Sequence, residues 1–444
     1  MSESSSPASD SGAGSSARGI KSTLIGVAAP PIATLVAYSV LAQLLGPEGR
    51  GFAAAATAPL LLITSALTLG LPEALTYFES QTAVRRRVSA GAIAALLFAG
   101  MVGTALTYWA SDSLSGGDAD LAQTMTWVAA FSAPALLVAG LRGIALARQR
   151  WSLVATERIL SALLRLTSIL VLALVLGLTP TNAALALGAT LAVGGVVYVR
   201  LLRREPRRQE LAREAQGPTY RQLHGYGLRA WLGSIAGILL MRLDQLLLTP
   251  LAGLQQLGFY VVAVNVAEAA LIFNAAVREV VFSKQSSRGD VRQLARASRM
   301  STVVTLALVI ALASLAPVAI PIVFGDAFSP SIGPTMILLA AVLLGNPGSV
   351  VGAGLAASGR PELRSFSLLA GLVVNVVIIV TLAPQWGAAG AALATLAGNV
   401  VSAGLNIRWY CRIAEARPRD FLVLRASDFR DTVAVARTTL RRHR

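Results

Sequence analysis

Long apolar runs broken by short arginine clusters constrain this chain more than any other feature. A membrane-spanning helix needs about 20 consecutive, mostly apolar residues. Twelve runs meet that length: 20–45, 52–77, 88–110, 121–145, 158–178, 182–202, 226–249, 257–280, 300–323, 334–356, 366–383 and 388–409. Hydrophobic residues make up 55% of the 444 and charged residues 14%, against about 25% charged in a soluble domain. Lipid offers the backbone no hydrogen-bond partners, so a spanning apolar run satisfies itself as a helix. The fold class predicted is an all-α integral membrane protein, with twelve transmembrane helices in two parallel-repeat six-helix bundles. Tight turns are predicted at Leu178-Thr179-Pro180-Thr181 and at Pro384-Gln385-Trp386-Gly387.

The formal charge is +16, from 38 basic and 22 acidic residues. Loops on the cytoplasmic side of membrane proteins are rich in Lys and Arg. With twelve spans and both termini cytoplasmic, the charge divides into +20 inside, −4 outside and zero within the spans. An error in the helix count would invert every later loop, so this asymmetry supports the topology. The net charge therefore reads as orientation and contact with an anionic leaflet, and no nucleic-acid partner is expected. Residues 1–18 read as a disordered tail, and the first run is too long for a signal peptide. The bundles are predicted over 19–202 and 226–410, joined by a cytoplasmic loop at 203–225. Residues 411–444 form a basic cytoplasmic tail, whose part from Phe421 to Arg444 reads either as an amphipathic segment on the inner leaflet or as disorder.

Cys411 is the single cysteine, and His224 and His443 stand far apart. A disulfide, a cysteine-based zinc site and His-pair catalysis are thereby set aside, and no cofactor or metal is expected. The outer loops are too short to hold an enzyme's catalytic groups.

The halves share a local pattern. Leu44-Leu45-Gly46-Pro47-Glu48-Gly49-Arg50-Gly51-Phe52 follows the first run, and Leu251-Ala252-Gly253-Leu254-Gln255-Gln256-Leu257-Gly258-Phe259 follows the seventh. Each places a small-residue turn and a Gly-Phe helix start at the outer surface. Both halves begin inside, so they are parallel repeats about an axis along the membrane normal. Pro30-Pro31 predicts a kink in the first helix.

These segments, with Arg242, Asp244 and Gln245 through Leu248, Gly258-Phe259-Tyr260 and Trp386-Gly387-Ala388-Ala389-Gly390, resemble the polysaccharide (O-antigen type) flippases. Those belong to the multidrug/oligosaccharidyl-lipid/polysaccharide exporter superfamily. The resemblance implies two six-helix bundles around a central cavity. It also implies alternating access that carries an undecaprenyl-diphosphate-linked oligosaccharide to the outer leaflet of the cell membrane. Lipid II flippases usually carry two further helices and basic residues in the first helix, which this sequence lacks. A multidrug/cation antiporter of the same superfamily is the alternative, although its chemistry favours an acidic, aromatic cavity.

Charges inside a span are costly and usually face a cavity or each other. Arg229, Arg242 and Arg165, with Asn265, are the residues expected to touch substrate. The alternatives are snorkelling for Arg229 and helix–helix bonding for Arg165 and Arg242. Glu268, on the same helix face as Asn265, is expected to bind a coupling cation, proton or sodium, or else to pair with Arg165 or Arg242. Asp244 is read as a gate or structural partner. Glu73, after Pro72, is read as a gate, a partner of Arg229 or an interfacial acid. Arg50 with Glu48 reads as an outer latch or a solvated pair.

Overall fold

The computed structural model describes residues 12–81, 86–199, 218–288 and 291–430, and among them every regular element is helical. The helices are α1 (Gly12–Ala66), α2 (Leu71–Gln81), α3 (Arg86–Leu114), α4 (Ala119–Ala129), α5 (Ser132–Ala147), α6 (Trp151–Val171) and α7 (Pro180–Val193). They continue as α8 (Tyr220–Ala252), α9 (Leu254–Arg288), α10 (Val291–Phe324), α11 (Ile332–Ala357), α12 (Pro361–Ile413) and α13 (Arg419–Leu422). Ten segments among the described residues are long and apolar enough to cross a membrane. The outward faces are apolar too: Trp109 is 84% exposed and Leu174 82%. In lipid, such surface is solvated rather than misplaced.

The two longest of the ten segments each turn at a glycine. Ile32–Ser80 has 49 residues and Pro361–Ile413 has 53. Gly46 (φ 65°, ψ −177°) and Gly387 (φ 53°, ψ −130°) leave helical geometry inside them. Positive φ strains any residue bearing a Cβ, so glycine marks both turns. The break in α1 falls at Gly46; the helical run continues through Pro30 and Pro31, where the sequence predicted a kink. The predicted 52–77 run also divides. A turn at Leu67–Gly70 separates α1 from α2, and Pro72 sits in the first turn of α2, where its missing N–H has no helical partner to lose. The turn before α7 lies where predicted: Thr179 and Asn182 form a reciprocal capping box around Pro180.

The two Gly-Phe turns face one another. A Cβ on Gly51 would lie 1.8 Å from the Leu254 carbonyl oxygen, and one on Gly258 would lie 2.0 Å from the Pro47 carbonyl oxygen. Pro47 and Leu254 hold equivalent places in the two repeats, so the contact is reciprocal. At the same end, Gln43 Nε2 donates to the carbonyls of Val323 (2.9 Å) and Ile322 (3.3 Å). The Ala388 amide donates to Gln256 Oε1 at 3.0 Å. One hydrophobic cluster continues between the halves, from Leu41 and Leu60 through Leu257 and Tyr260 to Ile379 and Ala392. At the opposite end, the start of α8 packs on α2. Tyr77 stacks on Tyr226 with centroids 4.5 Å apart, and the Trp231 indole donates to the Ala66 carbonyl.

Residues 418–430 fold back onto the protein. Phe421 is fully buried against Tyr410. Arg299 Nε donates to Asp428 Oδ2 at 2.8 Å, and Asp428 also accepts from the Arg425 amide at 2.8 Å. This stretch, expected on the inner leaflet or disordered, packs as a strap over the ends of α10 and α12. The rest of the tail, and the 203–217 part of the predicted loop, lie outside the described residues.

Candidate functional site

A cavity of about 450 Å3 opens among α8, α9, α11 and α12. Arg242, Asp244, Glu268, Tyr260 and Thr395 all line it. Arg242 Nη1 and Glu268 Oε1 stand 3.7 Å apart, with side chains 36% and 48% exposed. This is the salt bridge weighed above for Glu268. Half-exposed pairs of this kind contribute about 0–1 kcal/mol.

Asp244 is differently placed. It is 3% exposed and has no ion-pair partner among the described residues, Arg242 two positions earlier included. Its Oδ2 accepts from the Tyr260 hydroxyl and, at 3.2 Å, from the Thr395 hydroxyl. Its Oδ1 accepts from the Gln245 amide at 2.7 Å. Asn375, fully buried, donates to Thr395 at 3.5 Å and leaves its own Oδ1 buried without a partner. A carboxylate and two hydroxyls thus converge from α8, α9 and α12, with the Asn375 amide nitrogen behind Thr395. Oxygen sets of this composition suit a proton or a hard cation.

A second cluster lies in the first half. Tyr38, on α1, has the Arg50 guanidinium 4.7 Å and the Arg165 guanidinium 6.0 Å from its ring centroid. Arg165 Nη1 donates to Thr34 Oγ1 at 3.2 Å, one turn before Tyr38 on the same face. Arg50 is 3% exposed, and the Nε atoms of both arginines are buried without partners. No acid pairs with either among the described residues. Glu48 is exposed, so the expected Arg50–Glu48 pair does not form.

The remaining predicted residues disperse. Asn265 lies outside the cavity lining with its Nδ2 buried and unpartnered, although Glu268 one turn later lines it. Glu73 is exposed in the first turn of α2. The Arg229 side chain lies outside the described residues, so neither its contact with substrate nor a pairing with Glu73 is seen. Sequence reading missed Tyr38, Tyr260, Thr395 and Asn375. Only Tyr260 carried a signal, through its place in the Gly-Phe-Tyr turn.

Helices, breaks and cavity together define a multi-pass cell-membrane protein with the fold of the MOP-superfamily transporters. The solved lipid II flippase MurJ in its inward closed conformation superimposes with a TM-score of 0.72 at 12% identity, covering 93% of this chain and 92% of that one. A multidrug resistance MATE family transporter of the MOP superfamily, inward-facing, gives 0.70 at 17% identity over 88% and 98%. An outward-facing MATE family transporter gives 0.53 at 16% identity over 88% and 96%. No curated protein sequence matches the chain. The sequence pattern of the polysaccharide biosynthesis protein family matches residues 40–333, about two thirds of the chain, and the protein belongs to that family.

Proposed function

We propose that this transporter moves a polyprenyl-diphosphate-linked oligosaccharide from the inner to the outer leaflet, by alternating access, for cell-surface polysaccharide synthesis. In this reading the chain crosses the membrane twelve times with both termini cytoplasmic. A continuous helix of 49 residues would run about 74 Å, more than twice the ~30 Å hydrocarbon layer. Crossings that reverse at Gly46 and Gly387 fit the layer instead. The Gly51–Gly258 contact then closes the outer end.

The observation that carries the reading is the Arg50–Tyr38–Arg165 cluster. Two guanidiniums inside the protein, neither matched by an acid, favour an anion and penalise a cation. A diphosphate suits that field; a cationic drug does not. Asp244, with Tyr260, Thr395 and Asn375, is the coupling-ion locus, taking a proton or sodium from one side and releasing it to the other. Glu268, held by Arg242, serves as a gate rather than the ion carrier. The multidrug/cation antiporter reading keeps one specific support, since a buried acid in a cavity is also what a cation exporter uses.

Reconstitution into liposomes separates the two readings. A fluorescent polyprenyl-diphosphate oligosaccharide is expected to reach the opposite leaflet faster with protein than without. Failure of that transfer, together with cation-driven dye export, would reverse the assignment.

A further inference from the structure

The second half of α12 carries Thr395, Asn399, Ser402 and Asn406, and all four line the cavity beside Asp244. Spacings of three and four residues set them on one helix face, and the stripe runs roughly 16 Å at 1.5 Å per residue. Thr395 is engaged with Asp244. The other three have no such task. Asn399 and Ser402 make no hydrogen bond to the described residues. Asn406 is 3% exposed, and its Oδ1 is buried without a partner. Asn346 faces them from α11, its amide fixed by Ser301 (3.2 Å) and Thr302 (2.9 Å) on α10.

Buried amides without partners are costly, and an apolar residue would fill the same place without that cost. Asn and Ser both donate and accept hydrogen bonds. Vicinal hydroxyl groups ask for that combination. Between the polar groups the wall is aliphatic, from Leu240, Leu338, Val342 and Leu368, a surface for the C–H faces of a sugar ring. The cavity volume of about 450 Å3 falls within the roughly 300–1,000 Å3 of organic-ligand sites. Of the charges around it, Arg242 and Glu268 hold each other and Asp244 is enclosed by its hydroxyls. Arg364 also lines the cavity, on the arm of α12 that the reversal at Gly387 packs against the stripe through Gly371, Gly398 and Ser402.

We infer that the Asn399–Ser402–Asn406 stripe is the saccharide subsite, binding neutral hydroxyls of the cargo's sugars while the diphosphate is drawn to the Arg50–Arg165 half. This inference rests on the flippase reading and locates the sugar within it.

The test uses the full chain in liposomes with two lipids: lipid-linked oligosaccharides extracted from the source cells, and polyprenyl diphosphate without sugar. Asn399→Leu and Asn406→Leu are expected to slow the glycan-bearing lipid about tenfold and the sugarless lipid less than about twofold. Equal losses on both lipids would overturn the assignment. A second measurement does not depend on how those variants fold. An Asn399→Cys variant, in a Cys411→Ser background, is labelled with a hydrophilic maleimide. Glycans released from the extracted lipids are expected to slow labelling severalfold. Absence of protection, with labelling governed by a sodium or proton gradient, would make the stripe a hydrated ion path. Protection by glycans in a protein that moves neither lipid would leave the subsite standing and remove the flippase reading.

Discussion

Arg50 keeps a full positive charge away from water with an aromatic face as its main neighbour. Removing an uncompensated charge relieves desolvation, so Arg50→Leu is expected to raise the melting temperature in detergent. The same change should lower transport of the diphosphate lipid about tenfold; a variant both more stable and fully active would deny the arginine its role. Asp244→Asn is expected to abolish response to an imposed ion gradient, while Glu268→Gln keeps it; flux measured with and without the gradient separates them. Outside the membrane, burial opposes ionisation of Asp428, but hydrogen bonds from Arg299 and the Arg425 amide, with both positive charges, outweigh it and hold the carboxyl below its usual range. A depressed carboxylate stabilises above its unfolded pKa, about 3.9, and loses that contribution as pH falls through the lower folded value. The strap should therefore stay docked at neutral pH and release only in strong acid. Asp428→Asn leaves Arg299 buried without its anion, a change worth about 3–5 kcal/mol, and hydrogen exchange over 418–430 should rise at neutral pH. Charged residues inside the spans were legible from sequence because each stands out against apolar neighbours. Their uncharged partners were not: Thr395 meets Asp244 from a distant stretch of chain, Asn375 bonds in turn to Thr395, and nothing in their own neighbourhoods marks them.

At the scale of helices, the apolar runs fixed where most segments lie, because twenty apolar residues in lipid have few alternatives to a helix. Breaks were harder to place. Pro30-Pro31 predicts a kink, yet the helical run continues through both and the break falls at Gly46, because a spanning helix tolerates proline and only glycine takes positive φ without strain. Only the fold reveals that Gly51 and Gly258 meet, for their closeness depends on two turns docking from different halves. A methyl group at either position collides with a carbonyl of the other repeat. Gly51→Ala and Gly258→Ala are each expected to weaken outer closure, and to a similar degree. Labelling of a cavity cysteine by an impermeant reagent added outside should rise severalfold in both. An effect confined to one of them would argue against the reciprocal contact.

For the whole molecule, charge asymmetry predicts the orientation, because loop arginines favour the cytoplasmic side whatever the helices contain. Reporter fusions should place both ends of the chain inside and the Asp112–Asp120 turn outside; an external carboxyl terminus would reject twelve crossings. Conformation was not readable, since a run of apolar residues does not say which ends of the two halves touch. The contact that defines the present form, between the turns at Gly51 and Gly258, is made by main-chain carbonyls and absent side chains. A seal of that kind carries no chemical preference. On the proposed function, cargo recognition and the opening motion are therefore separable inheritances: residues lining the cavity can drift toward a new cargo without retuning the hinge that delivers it.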